Sequence, residues 1–442
     1  MNFPTNAALR FRLVIKSNLV LLLNSSAQAL TAFLNAVFGF IFWWVAARYF
    51  PTHSVGLASA AISMMNLISL VGELGLGTLL IGRALSHGTR AAGLISAALF
   101  AASVSALLVG MGFLGISWML ALKLGNFFEL YYSVLFITGC TITCFSQVLD
   151  SAFVGLLRSA VPMYRNVTFA ALKLVFLIAA TLATPSDKQE TIIFLTWVLG
   201  QLASILLFAF VLRHRGRSVW RRPDFPLLRP LMKTVLSHHL LNLITQGPTL
   251  LLPFIVTVVF SAHVNAAFYA SWMILSAALL VPSALTTTLF TIGSVEPETI
   301  AERLKFSLFV CAFASIAASA GCLLLAGPVL SLFGPSYAAV GGPILQILGL
   351  AAPAIAIKYH YIAVQRLRGR MAFASLLLGA GGILELAFAI MGSHVGQING
   401  FTSGWVAAAY VEAVVLIPTI LRAIHAELPR FGTVLANTLT LG

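Results

Sequence analysis

The chain has 442 residues, 60% hydrophobic and only 9% charged, with a mean hydropathy of +0.99. A soluble domain carries about 25% charged residues, so this composition excludes one and requires a bilayer as solvent. The net charge of +14 is no nucleic-acid footprint, because the basic residues sit in alternate loops, as membrane topology demands.

Long continuous apolar runs exclude a β-barrel. At roughly 35 residues per span and loop, about twelve helices fit. The first covers 18–47. Arg10, Arg12 and Lys16 precede it and Ala27-Gln28-Ala29 imitates a cleavage site, but the run continues to Phe50, as in an uncleaved span. Its Asn24, Gln28 and Asn35 share one helix face. Trp43, Trp44, Tyr49 and Phe50 form an aromatic belt at its end. Spans follow at 55–82, with Glu73 among glycines; 92–121; 128–156, with Asp150; 164–184, with Lys173; and 191–212.

A loop from His214 to Lys233, rich in Arg and carrying Pro223, Pro226 and Pro230, then divides the chain. Six more spans follow at 234–260, 266–290, 304–330, 340–364, 372–393 and 400–422. The first of these carries His238, His239, Asn242 and Gln246, and the last three carry Lys358, Glu385 and Glu412. The reading is thus an all-α membrane protein: a six-helix bundle over 1–213, a basic linker over 214–233, and a second bundle over 234–442. Ala58-Ser59 and Leu80-Ile81-Gly82 find weak echoes in Ala270-Ser271 and Phe290-Thr291-Ile292-Gly293, one half later. Two such halves are a common transporter plan, with the site between them.

With the N-terminus inside, 21 of the 26 Lys and Arg fall in inside segments, Arg165 and Arg158 among them. Only Arg48, Lys123 and Lys188 fall outside. This asymmetry places both termini in the cytoplasm. The outer loops are too short to hold a folded domain. Cys140, Cys144, Cys311 and Cys322 lie in apolar runs without a neighbouring ligand set, and read as packing residues rather than a metal site. No phosphate-binding loop, metal-binding His-Glu motif or serine elbow is present, so neither a catalytic residue nor a cofactor is expected.

Charges at bilayer depth are costly, so ionisable residues there are functional candidates. Counted from the nearest inside arginine, Asp150, Lys173 and Lys358 all lie about 12 Å into the membrane, and Glu73 about 15 Å. Glu412 lies at similar depth and Glu385 deeper. Asp150 and Lys173 are on adjacent spans, which suggests a pair: a neutralised buried ion pair, or a lysine meeting a diphosphate with the aspartate positioning it. The candidate cavity residues are Asn24, Gln28, Asn35, Glu73, Asp150, Lys173, Asn242, Gln246 and Lys358. The candidate proton or sodium carriers are Glu73, Glu385 and Glu412. Asn242 and Gln246 share a face, so both first helices carry a polar stripe, as a wet central cavity requires.

Three motifs carry a family resemblance. They are Ala47-Arg48-Tyr49-Phe50 followed by Val55-Gly56-Leu57-Ala58-Ser59; Gly72-Glu73-Leu74-Gly75-Leu76-Gly77 before Arg83; and Leu332-Phe333-Gly334-Pro335-Ser336-Tyr337-Ala338. With the layout of two halves, the chain resembles the Wzx-type polysaccharide flippases of the multidrug/oligosaccharidyl-lipid/polysaccharide (MOP) exporter superfamily. The resemblance implies two bundles around a central cavity with alternating access. It implies a cargo of undecaprenyl-diphosphate-linked glycan, such as an O-antigen repeat unit, moved across the bacterial inner membrane. It further implies a monomeric functional unit, coupling to an H+ or Na+ gradient, and polysaccharide polymerase and chain-length proteins as partners. Related lipid II flippases usually carry two further helices, and this chain ends soon after span twelve. Drug exporters of the superfamily typically bear a proline in the first span, which is absent between Asn18 and Phe50. A drug or metabolite antiporter is the alternative of the same architecture. A membrane enzyme of glycan assembly or a scaffolding subunit are those of other classes.

Overall fold

The computed structural model describes residues 30–120, 129–182, 188–214, 221–228, 231–295 and 300–425. Asn24 and Gln28 lie outside them. Every regular element described is helical. The first is α1 (Leu30–Tyr49). Pro51, which lacks a backbone N–H and holds an extended ψ, caps the start of α2 (Thr52–Gly72). Leu74 and Gly75 then take left-handed conformations, with φ of 52° and 75°, and break the span before α3 (Leu76–Arg83). Gly75 is required there twice over: its φ is one L side chains avoid, and a Cβ would lie 2.7 Å from Val235 Cγ1.

The first half continues through α4 (Ala91–Met119), α5 (Leu130–Gly155), α6 (Ala160–Thr181) and α7 (Gln189–His214). Within the linker, the short α8 (Phe225–Leu228) docks on α4. Asp224 donates its backbone N–H to the Gly93 carbonyl at 3.1 Å and pairs with Arg90 at 3.2 Å.

The second half opens with α9 (Met232–Val259), which carries Pro248 and Pro253. The next span is split, like span two, into α10 (Ala262–Ala278) and α11 (Leu280–Val295). After α12 (Ile300–Ser331), Gly334 at φ 140° and Pro335 turn the chain into α13 (Pro335–Gly349), which meets α14 (Ala352–Leu367) at a 48° bend. The long α15 (Met371–His425) leaves helical geometry at Gly396 and Gln397. A Cβ on Gly392 would lie 2.1 Å from the Gly400 carbonyl oxygen, whereas in a straight helix these residues stand about 12 Å apart. The helix therefore folds back on itself and supplies two spans. Among the described residues nine helices, α15 included, are long and apolar enough to cross a membrane, and two bent pairs are so jointly; with the two arms of α15 counted separately, they match the twelve predicted spans. The chain is a multi-pass membrane protein.

The two halves meet along α2 and α10, the helices that carry the echoed Ala-Ser steps. Asn265 donates to the Gly56 carbonyl at 2.8 Å and to Ser59 Oγ at 3.0 Å. Buried interhelical bonds of this kind contribute about 0.6 kcal/mol each within a bilayer. The backbones approach closely because residue 56 has no side chain: a Cβ there would lie 1.7 Å from the Ala262 carbonyl oxygen. Gly56→Ala is expected to destabilise the protein by about 1–3 kcal/mol, read as a lower midpoint of thermal unfolding in detergent. An unchanged midpoint would show that this helix contact yields freely.

Candidate functional site

The intramembrane charges fall into separate groups. In the first half Asp150 of α5 binds Arg165 through two bonds, Nε to Oδ1 at 2.7 Å and a terminal nitrogen to Oδ2 at 2.5 Å. Asn166 donates to the same carboxylate at 2.8 Å, and Arg165 also reaches Ser204 of α7 at 3.3 Å. Arg165 is 2% exposed. It stands level with Asp150, which the depth count had set about 12 Å deeper. The expected Asp150–Lys173 pair is therefore not formed, because the carboxylate is taken two helical turns nearer the start of α6.

Lys173 lies instead among aromatic faces. Its Nζ is 3.5 Å from the ring centre of Trp197, 4.8 Å from Phe169 and 5.2 Å from Phe42. The side chain is buried, and among the described residues no carboxylate pairs with it. Ring faces attract an ammonium by about 2 kcal/mol or more once water is excluded, which lets a cation sit at this depth without a counter-ion. Phe169 stands four residues before Lys173 on α6, so half of this arrangement was visible in the sequence. Phe42 and Trp197 come from α1 and α7, and no sequence spacing links them.

Glu73 ends α2. Its Oε1 accepts the backbone N–H of Gly77 at 3.0 Å and so caps the first turn of α3, where a carboxylate meets the positive end of the helix dipole. Of the polar stripes, Asn35 is exposed on α1 and Gln246 on α9. Asn242 donates to Thr78 Oγ1 of α3 at 3.2 Å, joining the halves near the basic end. The side chain of His238 is outside the description. His239 is buried against Gly75. All four cysteines are buried free thiols.

The second half brings three candidates into one cluster. Lys358 of α14 donates to Glu385 Oε1 at 3.0 Å and to Glu412 Oε2 at 2.8 Å, from the two arms of α15. Trp405 donates to Glu385 Oε2 at 3.3 Å. Glu412 Oε1 is buried and has no hydrogen-bond partner among the described residues. The lysine side chain is 18% exposed and its two carboxylates 5% and 4%, so the lysine is the most exposed side chain of the cluster. By depth alone these residues were separate candidates; the fold-back of α15 joins them.

At the end opposite the basic loops, residues not singled out for function tie the halves together. Trp44 and Arg48 of α1 donate to the Leu332 carbonyl at 3.0 and 2.8 Å. Thr52 Oγ1 and Ser336 Oγ stand 3.5 Å apart. The Arg48 motif and the Gly334-Pro335 motif, distant in sequence, are thus one contact. The signal for it was Arg48 itself, one of three basic residues that the loop bias assigns to the outside.

No family model and no curated protein matches the chain. Solved structures do. An inward-facing multidrug resistance MATE family transporter of the MOP superfamily superposes with a TM-score of 0.71 at 16% identity, covering 88% of this chain and 94% of the other. The fold is that of the MATE transporters. The MATE multidrug transporter DinF-BH, in complex with the dye rhodamine 6G, gives a TM-score of 0.69 at 14% identity, over 92% of this chain and 96% of the other. A MOP superfamily transporter from Pyrococcus furiosus, for which reverse polarity of the binding pocket suggests a different function, gives 0.57 at 17% identity, over 92% and 94%. The charged cluster lies on α14 and α15, and Lys173 on α6.

Proposed function

We propose that this protein is an alternating-access transporter that flips a lipid-linked oligosaccharide, its diphosphate headgroup drawn to intramembrane lysines. The observation that carries this reading is Lys358, a membrane-embedded lysine that is the most exposed side chain of its cluster. A lysine is a compact point charge suited to phosphate. Lys173, held by ring faces alone among the described residues, adds positive charge in the other half. The three sequence motifs support the same cargo, an undecaprenyl-diphosphate-linked glycan. The basic loops support cytoplasmic termini, and the resemblance supports outward transport across a bacterial inner membrane.

A cation-coupled drug antiporter is the second reading. It is favoured by the MATE-like fold and by the dye bound in one neighbour. Fold does not fix cargo, and pocket charge discriminates better.

Binding to the detergent-purified protein separates the two. A short prenyl diphosphate such as farnesyl diphosphate, at about a hundred times its dissociation constant, is expected to stabilise the folded protein by about 2.7 kcal/mol, and the rhodamine dye to leave it unchanged. Stabilisation by the dye alone would move the assignment to the antiporter.

A further inference from the structure

We propose that Lys358, Glu385 and Glu412 form an anion-triggered proton site, in which a phosphate group that draws Lys358 away leaves the carboxylate pair to take up one proton. This deepens the flippase reading and rests on it for the identity of the anion.

The geometry sets the charge balance. One ammonium holds two carboxylates, at 3.0 and 2.8 Å, so with both carboxylates ionised the cluster carries one surplus negative charge. Glu385 has both oxygens engaged, by Lys358 and by Trp405. Glu412 has one oxygen engaged, and its Oε1 is buried without a donor. Gly381, one turn before Glu385, makes room for that oxygen: a Cβ on residue 381 would lie 2.4 Å from it.

Four helices pack on α15, namely α9, α12, α13 and α14. From α14, Lys358 bonds Glu412, and Tyr361 lies within electrostatic reach of it. Glu385 faces it from the other arm of α15. The remaining buried histidines turn elsewhere: His360 bonds Ser307 of α12 at 3.0 Å, and His239 of α9 packs on Gly75. Cys322 of α12 lies against Gly349, and Tyr337 of α13 packs on Phe333 at the far end.

A phosphate oxyanion that reaches Lys358, the most exposed side chain of the cluster, competes for its ammonium. Once the ammonium turns to the anion, two neighbouring carboxylates remain buried with no counter-charge. Like charges so placed cannot both stay ionised. A proton from water adds to Glu412 Oε1, the oxygen that lacks a donor, and charge is conserved: the anion gains the cation and the carboxylate pair gains the proton. Anion binding and proton binding then assist each other reciprocally. A sodium ion does not substitute, because the ammonium already occupies the position between the carboxylates and repels a second cation there.

The test is proton-linked binding to the detergent-purified full chain. Inorganic pyrophosphate and farnesyl diphosphate are the two probes, and calorimetry in buffers of different ionisation enthalpy counts the protons. Wild type is expected to take up about one proton more per anion bound than Glu412→Gln does, a difference that removes the probe's own titration. Its affinity relative to that variant should fall about tenfold per pH unit above the pair's titration. Replacing potassium by sodium should change neither value. Glu385→Gln provides a second test should Glu412→Gln fold poorly. Equal proton counts in wild type and both variants, or a count that sodium abolishes, would overturn the proposal. Proton-linked binding of pyrophosphate with none of farnesyl diphosphate would uphold the proton site and count against the lipid cargo. Binding of both probes without a proton difference would do the reverse.

Discussion

Thr52→Cys and Ser336→Cys together, oxidised to a disulfide, are expected to reduce transport at least tenfold, and a reductant to restore it. The two side-chain oxygens stand 3.5 Å apart, and a disulfide needs Cβ atoms only about 3.5–4.5 Å apart. The pair bridges α2 in the first half and α13 in the second, beside the Trp44 and Arg48 bonds to the Leu332 carbonyl. Rocking of one half against the other must part these contacts whenever the site opens to that side. A covalent bond removes that option. The four native cysteines are buried, so a version with each replaced by alanine or serine keeps the bridge unambiguous. Full transport by the oxidised protein would show that the halves need not separate at this end.

The second large effect concerns stability. Asp150→Ala is expected to destabilise the fold by about 3–5 kcal/mol, because it strands a buried guanidinium. Arg165 is 2% exposed and spends two of its bonds on this carboxylate. The double variant Asp150→Leu with Arg165→Leu should recover most of the loss, since removing both charges together leaves nothing uncompensated. Thermal unfolding in detergent reads both. If the single and double variants unfold alike, Asp150 has a role beyond neutralising Arg165.

That pair also shows where sequence reasoning stopped. The spans were legible, and so was the short loop that holds Gly334 and Pro335, because each follows from the length and hydropathy of the apolar runs; the break of span two at Leu74 and Gly75 was not predicted. Depth was legible only where the reference was sound. Arg165 was counted as a rim residue, and its burial shifts the ladder that matched Asp150 with Lys173. The azimuth of each helix was not legible at all. One chain gives distance along the helix axis, and the partner across the interface depends on rotation about that axis. Lys358, Glu385 and Glu412 were therefore named singly, and their union waited for the fold-back at Gly396 and Gln397. The rings around Lys173 illustrate the same limit. Phe169 stands one turn away on the same helix, while Phe42 and Trp197 arrive from other helices.

The outer clamp was hidden for another reason. Two motifs that supported the family resemblance were read as separate signatures, although Arg48 and Leu332 touch. Arg48 bonds a carbonyl that ends a helix, a position where a cation also meets the negative end of the helix dipole. This gives a physical purpose to a basic residue that the loop bias assigns to the side basic residues usually avoid.

The most direct measurement of the central claim is flipping of a fluorescent undecaprenyl-diphosphate oligosaccharide in proteoliposomes. The fraction of lipid reaching the opposite leaflet is read by a membrane-impermeant quencher. The account predicts flipping well above protein-free vesicles, lost in the oxidised 52–336 double variant and regained on reduction. Wild-type vesicles that flip no such lipid under either a proton or a sodium gradient would contradict it.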